Sequence, residues 1–176
     1  NQEIYISIPA MNYLIENNTA VIICNTNHLP NGMFLNLNSH HIQQEIFKNQ
    51  IDASIPLKKQ LWQQTIIEKI TNQGILLHQI TKQKNNFEFL ASKVLSGDTS
   101  NMEGVAAQQY WKHFFETADL QTQFKRERFG DYPNNFLNYG YAILRAGTAR
   151  SLSGAGLLNT LGIHHKSKYN AFALAD

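Results

Sequence analysis

A long helical repeat constrains this chain of 176 residues more than any other feature. Pro56 opens a segment whose apolar residues recur at i, i+4, i+8 and i+15. They are Trp62, Ile66, Ile70 and Leu77. This spacing puts them on one face of an α-helix, and that face must be buried against other elements. Further helices are predicted at residues 85–95 and 134–157, so helices dominate from residue 41 onward.

The first forty residues have a different pattern. Short apolar runs at Ile4–Ile8, Val21–Cys24 and Met33–Leu37 are typical of strands, and residues 30–32 (Pro-Asn-Gly) predict a turn. A brief helix is predicted from Pro9 through Ile15.

The two patterns together predict an α+β fold. We expect a small, partial β-rich domain at residues 1–40, followed by a larger all-α domain at residues 41–176. Three short strands are too few for a stable independent domain. The last segment, AFALAD, consists of apolar residues that lead directly into an acid, which is not how a helix or strand usually ends. We therefore expect the chain to be truncated at both ends.

Composition excludes several classes of protein. Cys24 is the single cysteine, which rules out an intrachain disulfide and fits a reducing, cytoplasmic compartment. Its apolar neighbours predict a buried structural thiol. The longest aliphatic run, residues 20–23, is far too short to span a bilayer, and the N-terminus has neither the basic flank nor the apolar core of a signal peptide.

Positive charge is concentrated in one part of the chain. All four arginines lie within residues 126–150, and seven basic against two acidic side chains give residues 120–170 a net charge of +5. Arginine matches phosphate bidentately, so the cluster is typical of a phosphate-bearing partner. A solvated helical surface explains the same charge equally well.

Glu103 lies on an apolar helical face in the segment SNMEGVAAQQYW, residues 100–111. Ala106 and Tyr110 follow it at i+3 and i+7, so the face should point into the protein, where a charge is costly without a partner. One interpretation is a capping box in which Glu103 reaches back to the Ser100 amide. The other is a metal ligand or general base facing a pocket.

The segment LGIHHKSKYN holds the histidine pair His164-His165, with a carboxylate further on at Asp176. Adjacent side chains usually diverge, so one histidine at most would bind an ion together with distant acids. A site of Glu, His and Asp offers oxygen and nitrogen donors, which suit Mg²⁺ or Mn²⁺. Beside clustered arginines, such a site predicts phosphodiester chemistry.

Three segments resemble, in order, the signature blocks of the CRISPR-associated spacer integrases (Cas one). They are SNMEGVAAQQYW, YPNNFLNYGYAILRA and LGIHHKSKYNAFALAD. Upstream, residues 17–35 resemble the end of the family's N-terminal β-domain, and residues 57–77 resemble the first long helix of its α-domain. The resemblance covers essentially the whole chain. The sequences of the motifs resemble those of type II systems, which contain Cas nine.

The resemblance implies a metal-dependent DNA endonuclease and integrase, whose all-α domain is catalytic. The 3′-hydroxyl of a short captured DNA would attack a phosphodiester at the edge of a CRISPR repeat. Glu103 falls on the catalytic Glu of the family's Glu-Gly-x-x-Ala block, and His165 on the His of its Gly-x-x-His block. Both would bind Mg²⁺ or Mn²⁺. Asp176 is either the first acid of the family's Asp-x-x-Glu/Asp pair, and so a third ligand, or an Asp that precedes that pair.

Supporting residues and partners follow from the same resemblance. Asn134, Tyr139 and His164 would support the site. The residues expected to bind DNA are Arg126, Arg128, Arg145, Arg150, Lys166 and Lys168. The implied partners are double-stranded DNA (the captured spacer and the repeat), a second copy in a homodimer, and the small Cas two subunit.

Two interpretations without catalysis stay open on the residues alone. The arginine-bearing helix would serve a DNA-binding or scaffolding subunit that performs no chemistry. Alternatively, the chain is an α-helical adaptor whose arginines only make it soluble.

Overall fold

The computed structural model describes residues 3–17, 19–26, 30–34, 36, 40–117, 124–127, 130–165 and 167–176. Helices dominate these residues, and a small antiparallel sheet lies near the N-terminus, which confirms the predicted α+β class. The chain divides into two compact units. Unit 1 comprises Asn1–Asp52 with Asp131–Asp176, and unit 2 comprises Ala53–Gly130. The domain boundary at residue 40 stays a prediction.

Unit 2 is built on the predicted long helix, α3 (Ile55–Thr81). The Ser54 hydroxyl caps its start by accepting a hydrogen bond from the Leu57 amide, and Pro56 lies in the first turn, where no N–H is needed. The helix ends at Lys82, whose backbone is left-handed. The buried residues of α3 include all four of the predicted stripe, Trp62, Ile66, Ile70 and Leu77, which confirms that prediction.

Two shorter helices pack against α3 in unit 2. They are α4 (Phe87–Ser92) and α5 (Met102–Thr117), separated by a 3₁₀ turn at Ser96–Asp98. Their largest buried side chains are Phe87, Leu90, Tyr110 and Phe115. Full burial of such a side chain contributes about 1.5–3 kcal/mol. The shared core therefore fixes how α5 lies on α3.

Unit 1 combines the small sheet with three helices among its described residues. The helices are α1 (Ile8–Glu16), α2 (Gln43–Ile51) and α6 (Asn134–Gly154). The sheet consists of β1 (Ile22–Cys24) and β2 (Pro30–Met33), and Ile22 pairs with Met33. α6 follows a cis Tyr132-Pro133 peptide and contacts β2.

Several expectations for the first forty residues are wrong. Residues 4–7 form no strand: they are largely exposed, no described strand pairs with them, and Ser7 instead caps α1. The expected turn at residues 30–32 belongs to β2, because its backbone pairs with β1. Cys24 is exposed, since the two-stranded sheet leaves it uncovered. Of the predicted strand Met33–Leu37, residues 35 and 37 lie outside the described residues.

Tyr5 makes a local contact within this exposed segment. Its hydroxyl donates a hydrogen bond to the Glu3 carboxylate, and this bond raises the pKa of the Tyr5 hydroxyl above its ordinary value. The contact joins residues only two apart and is therefore local to this segment.

α6 presents two different surfaces. Asn134, Ala146 and Ala149 are buried, whereas Phe136 and Leu144 are exposed. A Cβ at Gly147 or Gly154 would meet nothing within 4 Å, so close packing does not require a glycine at either position. None of the helices among the described residues is long and apolar enough to cross a membrane.

Candidate functional site

The start of α5 is fixed by Asp98. Gly97 and Asp98 have left-handed backbones (φ 72° and 49°), a conformation that costs glycine little. The Asp98 carboxylate accepts hydrogen bonds from the amides of Met102 (2.8 Å) and Glu103 (3.0 Å). It thereby satisfies two of the amides that every helix start leaves unpaired.

The predicted capping box of Ser100 and Glu103 is therefore wrong. The left-handed residues Asp98 and Asn101 fold the chain so that the Asp98 side chain, rather than that of Ser100, reaches the amides. The Glu103 carboxylate is left to interact elsewhere.

Asp98→Ala is expected to destabilise the protein by about 1 kcal/mol, because two amides at the start of α5 lose their acceptor. Asp98→Asn is the matched control, since asparagine keeps one acceptor and tolerates positive φ. Urea unfolding of both variants measures the difference. Equal midpoints for Asp98→Ala and the unaltered protein would contradict this role of Asp98.

Glu103 forms an ion pair with Lys69. The Lys69 ammonium on α3 lies 2.5 Å from Oε1 of Glu103, and the two side chains are 47% and 31% exposed. Lys69 directly precedes the buried Ile70, and Ala106, one turn after Glu103, is also buried. The pair therefore lies at the rim of the α3–α5 core, and the carboxylate is half-exposed rather than part of the buried stripe. Its partner within unit 2 is a basic side chain.

The histidine pair lies in a turn that is held from several sides within unit 1. The Gln50 side chain on α2 donates to the carbonyls of Leu158 (2.9 Å) and Leu161 (3.1 Å) and accepts from the Leu158 amide (2.8 Å). Asn159 donates to the Ala149 carbonyl on α6 (3.0 Å). The segment before the histidines is thus tied to both α2 and α6.

Gly162 lies where the chain has no room for a side chain. A Cβ at this position would lie 2.6 Å from the carbonyl oxygen of Ala173 and 3.0 Å from that of His165. Both histidines are exposed, and their rings lie 5.7 Å apart at 79° to each other. Close backbone packing thus fixes the turn that carries two accessible imidazoles.

Asp176 lies in a polar cluster of unit 1. Its Oδ1 accepts from Nε of Arg145 at 2.5 Å, and its Oδ2 accepts from the Asn170 side chain at 2.8 Å. Both carboxylate oxygens therefore already have donors. A metal ion at Asp176 would share its carboxylate with these two donors.

The predicted supporting residues differ in burial. Asn134 is buried at the start of α6, where its amide donates to the Asp131 carbonyl at 2.7 Å. Tyr139 lies on the same helix and is 43% exposed. Their predicted part in a site stays a prediction.

The basic residues expected to bind DNA are distributed over both units. Arg126 belongs to unit 2 and donates to the Glu127 carbonyl, whereas Arg145, Arg150 and Lys168 belong to unit 1. Lys168 is exposed, with its ammonium 5.0 Å from the centroid of the Tyr169 ring. Arg128 and Lys166 lie outside the described residues. Basic residues that lie close together in the sequence thus belong to two different units.

The predicted metal ligands are divided between the units: Glu103 lies in unit 2, and His165 and Asp176 lie in unit 1. Within either unit, no three described His, Cys, Asp or Glu side chains are grouped closely enough to hold a metal ion. The donor types nevertheless fit Mg²⁺ or Mn²⁺, which take carboxylate oxygen and accept imidazole nitrogen. Glu103 and His165 are also accessible to an ion from solvent.

Sequence reasoning missed three residues that shape this region: Asp98, Lys69 and Gln50. Asp98 had a weak local signal, because an Asp shortly before an apolar helical run is a common cap. Lys69 is 34 residues from Glu103, and Gln50 is 108 residues from Leu158, so neither pairing has a signal in local sequence.

Comparison with known proteins identifies relatives over the entire chain. The family model described as CRISPR associated protein Cas1 matches residues 1–176. The CRISPR-associated endonuclease Cas1 of Neisseria meningitidis serogroup C (strain 8013) is 38% identical over 182 residues, which cover 100% of this chain and 57% of that protein. The chain thus spans little more than half the length of this relative.

Two solved structures are similar in fold. A casposase bound to integration product gives a TM-score of 0.68 at 22% identity, covering 96% of this chain and 52% of the other. A partial Cas6-RT-Cas1–Cas2 complex gives 0.64 at 23% identity, covering 96% and 56%. At these identities the likeness concerns the fold alone.

Proposed function

We propose that this chain, which belongs to the Cas1 family of CRISPR-associated proteins, acts in CRISPR adaptation as a metal-dependent DNA endonuclease and integrase. The observation that carries the proposal is the family match over residues 1–176, which includes Glu103 and His165. The 38% identity to an endonuclease of the same family supports it.

The proposed reaction is strand joining. The 3′-hydroxyl of a short captured DNA attacks a phosphodiester in one strand of the CRISPR repeat. A new P–O bond joins the captured DNA to that strand, the P–O3′ bond within the strand breaks, and the released end of the same strand takes up a proton and becomes a free 3′-hydroxyl. A divalent ion, when bound, supplies charge stabilisation at the phosphoryl oxygen and lowers the pKa of the attacking hydroxyl.

The proposed roles of individual residues come from the family resemblance. Glu103 offers an accessible carboxylate at the first turn of α5, and His165 offers an exposed imidazole on a fixed turn. These two residues are the proposed metal ligands, and Asp176, whose carboxylate also accepts from Arg145 and Asn170, is the proposed third. Arg150 and Lys168 are proposed to contact DNA phosphates, which position a duplex without reading its sequence.

The proposed partners are double-stranded DNA, a second copy of the chain and a small Cas2 subunit. One structural neighbour is a casposase bound to integration product, and another is part of a complex that contains Cas2. These names support the proposal for this chain by analogy of fold.

The proposal is tested by incubating the intact protein with a labelled short duplex and a duplex that carries a repeat. Joined product is expected with Mg²⁺ or Mn²⁺, and none with EDTA or with a 3′-dideoxy end that lacks the attacking hydroxyl. DNA binding that falls with salt but never yields joined product, with either metal, would instead indicate a scaffolding subunit.

A further inference from the structure

Lys69 is the residue that contacts the Glu103 carboxylate most directly in unit 2. Its Nζ bonds to Oε1 of Glu103, and no other described residue of the unit bonds to that carboxylate. The Asp98 carboxylate accepts from the amides of Met102 and Glu103, so Asp98 rather than Glu103 caps the start of α5. The ion pair is therefore the main interaction of the Glu103 carboxylate.

Stability does not account for this pair. Exposed ion pairs contribute little to folding, because water and salt screen them and two long side chains must be ordered. Lys69 and Glu103 are 47% and 31% exposed, so the pair belongs to this class. A role in the chemistry of the carboxylate explains the contact better than a role in folding.

The backbone of Lys69 is held rigidly even though its ammonium is exposed. Ile66 and Ile70, three residues before and one residue after it, are fully buried in the core beneath α5. The ammonium is thus presented to the first turn of α5 from a fixed position on a 27-residue helix. A cation fixed beside a carboxylate competes with any other cation for the same oxygen.

We propose that Lys69 is a positioning residue of the site, whose ammonium holds the Glu103 carboxylate and, as an internal counter-ion, competes with a divalent cation for its negative charge. This inference rests on the proposed function, because it assumes that Glu103 is a metal ligand. It adds a determinant of metal affinity that lies on α3, outside the three signature blocks.

The test is isothermal titration of Mn²⁺ into the intact protein at fixed pH and ionic strength. Lys69→Met keeps the aliphatic stem and removes the charge, so Mn²⁺ should bind roughly three- to tenfold more tightly. Lys69→Arg keeps the charge and should bind Mn²⁺ within about twofold of the unaltered protein. Lys112→Met, which removes an exposed lysine on α5, is the matched control and should change nothing.

A double variant separates this proposal from the proposed function. Because Lys69 acts through Glu103, the combined Lys69→Met and Glu103→Gln variant should bind Mn²⁺ as weakly as Glu103→Gln alone. If Glu103→Gln weakens binding but Lys69→Met does not strengthen it, the role of Lys69 is overturned and the metal site stands. If Glu103→Gln leaves Mn²⁺ binding unchanged, the proposed site itself fails. Thermal unfolding in EDTA shows whether each variant is folded.

Discussion

Glu103→Gln is expected to slow DNA strand joining at least about a hundredfold while the protein stays folded. Glutamine has the size of glutamate but lacks its negative charge, so its amide oxygen is a much weaker ligand for a divalent cation. The substitution is informative because Asp98, rather than Glu103, caps α5. Losing the exposed pair with Lys69 should cost only about 0–1 kcal/mol of stability.

The measurement is the initial rate of joined product in Mg²⁺ and in Mn²⁺, alongside urea unfolding of the same preparation. Glu116→Gln removes an exposed carboxylate from the far end of α5 and should leave both quantities unchanged. Full activity of Glu103→Gln would remove Glu103 from the chemistry and leave its ion pair as a surface contact.

Core positions of unit 2 could be predicted from the sequence because their signal is periodic and local. The apolar residues of α3 recur at helical spacing, and a helix is the structure that buries all of them on one face. The face of α5 follows the same rule, and Ala106 and Tyr110 are buried as it requires. Glu103 shares the face but lies at its rim, a distinction that periodicity cannot make.

The predicted strand at Ile4–Ile8 does not form, because a strand needs a partner strand. Residues 4–7 have a typical strand composition, but a strand is stable only when another backbone pairs with it, and no described strand does so. The predicted strand Val21–Cys24 does form, as β1 (Ile22–Cys24), because it pairs with β2, which ends at Met33.

Charge counting had a similar limit at the candidate site. Arg145 contributes to the predicted basic cluster, yet its Nε bonds to Asp176, 31 residues away. Lys69 lay outside that cluster, yet its ammonium bonds to Glu103. A basic side chain acquires its partner from tertiary structure, so sequence could give the charge of these residues and not their contacts.

His165→Ala is expected to abolish most strand joining, with a loss of at least about a hundredfold, whereas His164→Ala should lose about tenfold. The family's Gly-x-x-His spacing counted from Gly162 assigns the ligand to His165. Gly162 supports this register, because its backbone packs against the carbonyls of Ala173 and His165 too closely for any other residue. Adjacent side chains diverge, so one imidazole at most is expected to reach the ion.

The two alanine variants form a matched pair, since both remove an exposed imidazole from the same turn. Other groups hold that turn: the Gln50 side chain donates to the carbonyls of Leu158 and Leu161, and the Leu174 amide donates to the Asn159 carbonyl at 2.9 Å. Both variants should therefore keep their fold, and the Mn²⁺-induced rise in melting temperature should disappear in His165→Ala alone. If it disappears in His164→Ala instead, the register is shifted by one residue and His164 is the ligand. If it persists in both variants, neither histidine binds the ion, and other residues must bind it together with Glu103.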